Sequence, residues 1–254
     1  PTRITTVIPK AKHIGEGKVL VKWGLEEAQV LKNLRIKNVP SPIIAHYDWP
    51  GLHKPFAHQK TTAEFLTLHR RAFCFNEQGT GKTASVIWAA DYLLNVGAIR
   101  RVLVLCPLSI MQAAWGNDLF TFAMHRTCTI AHSYSKEKRI KAVNSEAEFV
   151  VCNFDGLEII KEEVKAGGFD LVVIDEANSY KNVSTKRFKV LSDVLTPSTW
   201  VWMLTGTPAA QSPADAFGRK RDWDEYLTSR DFVVPLLKGL GTMAASPSRY
   251  LGAA

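Results

Sequence analysis

The residues best suited to chemistry in this sequence form a short glycine-bearing run at positions 76–83, NEQGTGKT. An almost wholly apolar run at 72–75 precedes it, and the pattern of residues 84–94 predicts a helix. A strand, a glycine-bearing loop and a helix in this order are the setting of a phosphate-binding P-loop. Gly79 and Gly81 would let backbone N–H groups surround phosphate oxygens, and the dipole of the following helix favours negative charge.

Two side chains at the end of this run are suited to a nucleoside triphosphate. The Lys82 ammonium would neutralise charge on the β- and γ-phosphates, and the Thr83 hydroxyl would bind Mg²⁺. Asn76 departs from the general P-loop pattern, which has glycine at its position. The competing interpretation is an ordinary glycine-rich turn that caps a helix. The complete strand-loop-helix context favours the phosphate-binding loop.

A second chemical feature is the pair Asp175 and Glu176, which follows the apolar run 171–174. Water-activated phosphoryl transfer needs one carboxylate to hold Mg²⁺ and another group to orient or deprotonate the attacking water. Asp175 fits the metal-binding role and Glu176 the catalytic one, with Lys82 as the third catalytic residue. By itself, such a pair is as readily an acidic helix cap.

A third feature is a pair of hydroxyls, Thr205 and Thr207, after the apolar run 201–204. Hydroxyls at this place would bond to the carboxylates or to a bound phosphate and so couple nucleotide state to other surfaces. The alternative for these two residues is a simple turn.

These features follow short apolar runs that alternate with predicted helices, at 72–75, 102–106, 149–152, 171–174 and 201–204. Such runs indicate a parallel sheet with both faces covered, and ligands of such sheets bind beyond the carboxyl ends of the strands. Before them, an alternating run at 19–23 and a helical pattern at 25–36 predict a small N-terminal α+β appendage over residues 1–50. The main domain is then 51–217, and residues 218–254 have no assigned fold.

Composition sets the general class of the protein. The 254 residues are 46% hydrophobic and 22% charged, which is ordinary for a globular chain. A net charge of +8 favours polyanionic partners, although a basic surface kept for solubility explains it equally well. The four cysteines are widely separated and mostly lie in apolar runs, which is typical of a reducing cytoplasm. With no signal sequence and no membrane-spanning run, we expect neither export nor membrane insertion.

The three features in this order resemble the superfamily-two helicases, and their detail is similar to the chromatin-remodeler-like (Swi/Snf-type) branch, including bacteriophage-encoded members. The resemblance covers about 52–217, with DEAN at 175–178, KN at 181–182 and LTGTP at 204–208. It implies a RecA-like P-loop NTPase lobe, with ATP and Mg²⁺ as cofactors. The segment KPFAHQ at 54–59 resembles the adenine-recognition motif of this branch, which implies that Gln59 reads the adenine edge. Without the resemblance, Phe56 is better explained as a core aromatic.

The resemblance also implies which residues bind the ligands. The implied cofactor-binding residues are Gln59, Gln78, Gly79, Thr80, Gly81, Lys82 and Thr83. The segments VLCPLS at 104–109 and CNF at 152–154 resemble motifs that contact the backbone of a nucleic acid, through Pro107, Ser109, Asn153 and Phe154. The purely structural alternative for these segments is a turn after a buried strand. For Trp115, which follows the first segment, it is a packed core aromatic.

Two departures from the family affect the functional hypothesis. Asn178 stands where the branch commonly has histidine, and nothing after Phe217 resembles the second RecA-like lobe, which in this family supplies an arginine finger. We therefore expect a lobe that binds ATP and a nucleic acid, DNA rather than RNA, but hydrolyses ATP slowly unless a second lobe or a protein partner completes it. The alternatives are a nucleotide-binding scaffold without motor activity and, less well supported, a small-molecule kinase.

Overall fold

A parallel β-sheet forms the centre of the part of the chain that the computed structural model describes, residues 2–76, 79–180 and 185–206. The strands are β1 Lys12–His13, β2 Val19–Leu20, β3 Arg71–Cys74, β4 Val102–Cys106, β5 Cys128–Ile130, β6 Phe149–Asn153, β7 Leu171–Asp175 and β8 Trp200–Leu204. β1 and β2 pair with each other in antiparallel register. The other six form one sheet in the order β3-β8-β7-β4-β6-β5, and every neighbouring pair in it is parallel.

Helices connect the strands and cover both faces of the sheet. They are α1 Thr2–Val7, α2 Leu25–Asn33, α3 Pro42–His46, α4 Ala57–Leu68, α5 Lys82–Asn95, α6 Asn117–Phe122, α7 Lys136–Val143, α8 Gly156–Ile159, α9 Lys161–Ala166 and α10 Lys186–Val194. Two 3₁₀ turns, Leu108–Ile110 and Ala177–Tyr180, and a π-helical segment, Met111–Gly116, complete the described elements. This architecture confirms the predicted RecA-like α/β fold.

The sheet has an apolar core on each face because its central strands are apolar along their whole length. Every residue of β4, β7 and β8 is buried, which is typical of parallel strands covered on both sides. One core packs the sheet against α4 and α5 and contains Trp88, Trp115 and Trp202. The other packs it against α8 and α10 through Leu157, Phe188 and neighbouring residues. The two layers hold the strand ends in fixed positions.

The five apolar runs identified in the sequence are all strands of this sheet, with bounds that differ by at most one residue. Strand β3 begins at Arg71 and ends at Cys74, so both of its bounds lie one residue earlier than predicted. The sequence gives no sign of β5, because Cys128 is exposed and the two residues after it are only partly buried. An edge strand of three residues has no apolar run by which to recognise it.

The N-terminal segment contains the predicted helix, in shorter form. α2 ends at Asn33, and Arg35 has a positive φ of 60°, a left-handed conformation that ends regular helix. Tyr47 and Trp49 belong to the same core cluster as Trp88 on α5. The boundary near residue 50 stays a prediction, but residues on both sides of it share one core. Residues 218–254, to which the sequence assigns no fold, lie outside the described residues.

The described residues include no helix that is both long and apolar enough to span a bilayer.

At the amino-terminal edge of the sheet, the fold depends on a buried carboxylate, Asp91, near the end of α5. Its side chain is fully buried and accepts hydrogen bonds from Tyr47 Oη at 2.5 Å and Arg126 Nε at 2.5 Å, while His125 Nε2 lies 2.8 Å from it. Arg126 also pairs with Glu148 at 2.5 Å. Burial, followed by the negative charge of Asp91, raises the pKa of Tyr47 far above its usual range, so Tyr47 stays a hydrogen-bond donor.

We expect Asp91→Asn to lower the free energy of unfolding by about 3 kcal/mol, because it leaves the largely buried Arg126 without its main counter-charge. Urea unfolding followed by circular dichroism measures the change. The matched control is Glu158→Gln, which breaks an exposed pair with Lys186 and should cost at most about 1 kcal/mol. Equal losses for the two variants would contradict a structural role for the Asp91 cluster.

Candidate functional site

The glycine-bearing loop lies between β3 and α5, as the sequence predicts. Gly79 has φ 78° and Gly81, the N-cap residue of α5, has φ 72°, both in the left-handed region that favours glycine. Gly81 makes no side-chain hydrogen bond to the start of α5, and the positive end of the helix dipole lies at this loop. Gln78 and the preceding Glu77 lie outside the described residues. Lys82 and Thr83 are the first two residues of α5.

Asn76, which departs from the usual P-loop pattern, fixes the start of the loop. It is buried, and its Nδ2 donates to Thr62 Oγ1 on α4 at 2.9 Å. A side chain at this position therefore ties the loop to the helix that precedes β3. The sequence alone gives no signal for this contact, because Asn76 and Thr62 are 14 residues apart.

Gln59 packs directly against the same loop. Its Nε2 donates to the carbonyl of Thr80 at 3.3 Å, and its Oε1 accepts from the Phe56 N–H at 2.9 Å. His58 Nε2 lies 3.0 Å from the Thr80 carbonyl as well. Phe56 itself is 69% exposed, so its interpretation as a core aromatic is wrong. The start of α4 therefore places the Gln59 side-chain amide and the exposed Phe56 ring beside the loop.

Asp175 ends β7 at the same edge of the sheet. It is 7% exposed, and each of its carboxylate oxygens accepts an N–H: Oδ2 from Trp115 Nε1 at 3.0 Å and Oδ1 from the Glu176 backbone at 3.0 Å. Burial raises the pKa of Asp175, and it does so against three effects that lower it: the two hydrogen bonds and the positive charge of Lys82. The effect of Lys82 indicates that the loop lysine lies near this carboxylate.

The register of the strands explains this convergence. Cys74, the last residue of β3, pairs with Leu204 of β8, and Leu204 pairs with Asp175 of β7. Adjacent strands are about 4.8 Å apart, so the loop after β3 and the carboxylate of β7 are separated by a single strand. The predicted Lys82 and Asp175 are therefore brought together.

Glu176 has an unusual backbone conformation. Its φ is 56°, and a residue other than glycine in this region carries a conformational cost of about 1–2 kcal/mol. Its carbonyl accepts from the Ser179 N–H at 3.0 Å, so the strained residue opens the turn Ala177–Tyr180. Strain of this kind is often found at active sites, which is consistent with the role predicted for Glu176.

Thr205 ties the intervening strand to the loop strand. Its backbone N–H donates to the Cys74 carbonyl at 3.1 Å, and the residue is buried. The position lies between the loop and Asp175, but its role in coupling stays a prediction. Thr207 lies outside the described residues.

The predicted nucleic-acid contacts follow β4 and β6, which are also neighbours. Cys106 pairs in register with Asn153, so Pro107 and Phe154 leave the sheet side by side. Ser109 is exposed, whereas Phe154 is 7% exposed and packs edge-to-face against Tyr180 at 5.2 Å. The Phe154 ring is therefore part of the core, and only its backbone is placed to contact a ligand.

Residues 56–218 match the family model described as the SNF2-related domain. The chain belongs to this family. It is 26% identical over 200 residues to a SWI/SNF-related matrix-associated actin-dependent regulator of chromatin subfamily A-like protein 1 homolog of Caenorhabditis elegans, a match that covers 78% of this chain and 28% of the relative. It is 29% identical over 166 residues to an uncharacterized ATP-dependent helicase of Mycoplasma pneumoniae, covering 65% of this chain and 15% of that protein.

Among solved structures, the SNF2-related chain is similar to the Sulfolobus solfataricus SWI2/SNF2 ATPase core in complex with dsDNA. The TM-score is 0.57 at 21% sequence identity, and the match covers 79% of this chain and 39% of the other. This likeness supports the fold. The chain therefore spans less than a third of the length of the two relatives described above.

The SNF2-related lobe contains one site residue that the sequence left undecided, Trp115. It is completely buried and is also the donor to Asp175, from which it is 60 residues distant in sequence. The interpretation of Trp115 as a packed core aromatic is confirmed, and its bond to Asp175 is a contact that the sequence did not predict. A buried indole needs a hydrogen-bond acceptor, but the sequence does not show which one it finds.

We expect Gly81→Ala to destabilise the chain more than Gly97→Ala does. Both glycines have φ near 72° (72° and 71°), so the backbone cost of alanine is matched. A Cβ at Gly81 would lie 2.1 Å from Gln59 Nε2, whereas one at Gly97 meets nothing within 4 Å. Loss of the Gln59 hydrogen bonds should add about 1 kcal/mol, measured by urea unfolding. Equal destabilisation would show that Gln59 is not held against the loop.

Proposed function

We propose that this chain is the ATP-binding motor lobe of a nucleic-acid-dependent ATPase of the helicase or translocase type. The observation that carries the proposal is the convergence of the loop at Gly79–Lys82 with Asp175 at one edge of the parallel sheet. Membership of the SNF2-related domain family supports the same activity. The proposal concerns a lobe of a larger enzyme, because the chain covers only part of its relatives.

The proposed cofactors are ATP and Mg²⁺. The positive end of the α5 helix dipole and the Lys82 ammonium suit the phosphates, and Gln59 beside the loop suits the adenine. The Thr83 hydroxyl and the Asp175 carboxylate are hard oxygen ligands of the kind that Mg²⁺ prefers. Glu176, in its strained conformation, would orient or deprotonate the attacking water.

The proposed track is a nucleic acid, DNA rather than RNA. β4 and β6 are neighbours in the sheet, which supports Pro107, Ser109 and Asn153, at and after their carboxyl ends, as contacts to one sugar-phosphate backbone. The net charge of +8 favours a polyanion, and the similar Sulfolobus solfataricus structure is a complex with dsDNA. Backbone contacts of this type carry no sequence specificity.

Full activity of the proposed enzyme requires a second lobe. The loop follows β3, and an arginine finger from a facing lobe is worth about a thousandfold or more in phosphoryl-transfer rate. We therefore propose that this chain alone binds Mg²⁺·ATP but hydrolyses it slowly, and that a second RecA-like lobe or a protein partner completes the cleft.

We expect Lys82→Ala to weaken binding of Mg²⁺·ATP by about ten- to a hundredfold, because a charge-assisted contact worth about 1.5–3 kcal/mol is lost. Isothermal titration calorimetry measures the affinity. The control is Lys141→Ala on α7, an exposed lysine that should leave the affinity unchanged. Unaltered affinity in Lys82→Ala, or no Mg²⁺-dependent ATP binding by the wild-type chain, would remove the basis for the proposal.

We expect Ser109→Asp to weaken binding of a DNA duplex about fivefold or more, because a carboxylate about 4 Å from a phosphate costs at least about 1 kcal/mol. Fluorescence anisotropy with a labelled 30-base-pair duplex at low salt measures this. Ser198→Asp adds the same charge at an exposed position before β8, at the opposite edge of the sheet, and should have little effect.

The salt dependence of duplex binding tests the nature of the contact. If phosphate contacts dominate, affinity falls linearly on a log-log plot against salt concentration. Salt-independent binding would contradict the predicted backbone contacts. ATP binding without any duplex binding at low salt would instead favour a nucleotide-binding scaffold.

A further inference from the structure

One side chain physically joins the two halves of the candidate site. Trp115 lies six residues after Ser109, at the end of the chain segment that begins with the predicted nucleic-acid contacts. Its indole Nε1 donates to Asp175 Oδ2 at 3.0 Å, and its ring is fully buried. The segment from Pro107 to Trp115 thus runs from an exposed serine to the carboxylate proposed to hold Mg²⁺.

The segment itself has an uncommon conformation. A 3₁₀ turn, Leu108–Ile110, leads into a π-helix, Met111–Gly116, before α6 begins. π-Helical turns are rare and occur frequently at functional sites. Because their winding differs from that of an α-helix, a change of winding here would turn Trp115 relative to Pro107 and lengthen its hydrogen bond to Asp175.

Two other buried tryptophans show what a purely structural indole does in this fold. Trp88 donates to the carbonyl of Pro50 at 2.9 Å, and Trp202 donates to the carbonyl of His69 at 3.1 Å. Both acceptors are backbone groups remote from Asp175. Of these three indoles, Trp115 alone donates to an ionisable side chain.

The hydrogen bond constrains the carboxylate. Asp175 Oδ1 is held by the Glu176 N–H and Oδ2 by Trp115, so the group cannot rotate without losing one of them. Groups that hydrogen-bond a metal-binding carboxylate set its orientation, and their removal commonly costs about ten- to a hundredfold in metal affinity.

We propose that Trp115 is a positioning residue that couples nucleic-acid contact at Pro107 and Ser109 to the way Asp175 holds Mg²⁺. This inference rests on the proposed function of the lobe. Contact with a phosphate backbone changes the conformation of the segment 107–116, and the indole N–H transmits that change to one carboxylate oxygen. Because its ring is fully buried, Trp115 would act through Asp175 without touching the nucleotide or the nucleic acid.

The test measures how a duplex changes nucleotide affinity. A non-hydrolysable ATP analogue is titrated in Mg²⁺ into the full chain, with and without a saturating 30-base-pair DNA duplex. For wild type we expect the duplex to change the affinity about fivefold or more, the range typical of coupled sites. Because coupling is reciprocal, the analogue should change duplex affinity by the same factor.

The decisive variant is Trp115→Phe, which keeps an aromatic ring but removes the N–H donor. We expect the duplex-induced change to fall below about twofold while the chain still binds both ligands. Trp202→Phe is the matched control, because it removes an equally buried indole donor and should keep the wild-type factor. A wild-type factor in Trp115→Phe, an equal loss in Trp202→Phe, or two bound ligands without coupling in wild type would each overturn the inference.

A measurement on the wild-type chain covers the case in which Trp115→Phe does not fold. The indole N–H resonance of Trp115, assigned by nuclear magnetic resonance, should shift on adding Mg²⁺ with the ATP analogue and shift again on adding the duplex, while that of Trp202 stays in place. If the Trp115 resonance does not shift when the duplex is added, the inference is overturned but the proposed function is not. A wild-type chain that fails to bind ATP or DNA removes both.

Discussion

The parallel register of β3, β8 and β7 is the constraint on which the candidate site depends. It places Cys74, Leu204 and Asp175 side by side at the carboxyl edge of the sheet. A slip of one residue in any of these strands would send its side chains to the opposite face, exchanging the two cores. The buried apolar side chains on both faces therefore fix the register, and the register fixes where the loop at Lys82 and the carboxylate of Asp175 meet.

Helix α5 connects this edge to the opposite one. It begins at Lys82 and passes Asp91 shortly before it ends at Asn95. Both Asp91 and Asp175 are buried, but their surroundings differ. Arg126, with His125 and Tyr47, surrounds Asp91, so its negative charge is compensated within the fold. Among the described residues, Asp175 has two N–H donors and the nearby positive charge of Lys82.

That difference separates a structural carboxylate from one suited to bind a ligand. A buried charge must be compensated, and where the protein supplies only part of the compensation, a bound cation can supply the rest. The same reasoning applies to the strained backbone at Glu176. The ligands proposed for this site, Mg²⁺ and a phosphate group, would offset these costs.

Several details of the site were not accessible to sequence reasoning. Phe56 is apolar, and composition predicts burial, yet the ring is exposed because the turn before α4 leaves it at the mouth of the loop. Asn76 departs from the general P-loop pattern, and its side-chain amide donates a hydrogen bond that joins the loop to Thr62. β5 was missed because an edge strand with exposed residues lacks an apolar run. None of these contacts or exposures follows from the residue types alone.

The sequence by itself determined the class of fold and the order of its chemical groups. Runs of buried β-strand residues alternate with amphipathic helices, and loop chemistry at 79–83 and 175–176 is local, so spacing and residue type suffice to find them. Only the tertiary structure decided which strands are neighbours, and thereby that Trp115 of one connection bonds to Asp175 of another. Strand order depends on how all the side chains of both cores pack together. No short stretch of the sequence contains enough of these residues to determine it.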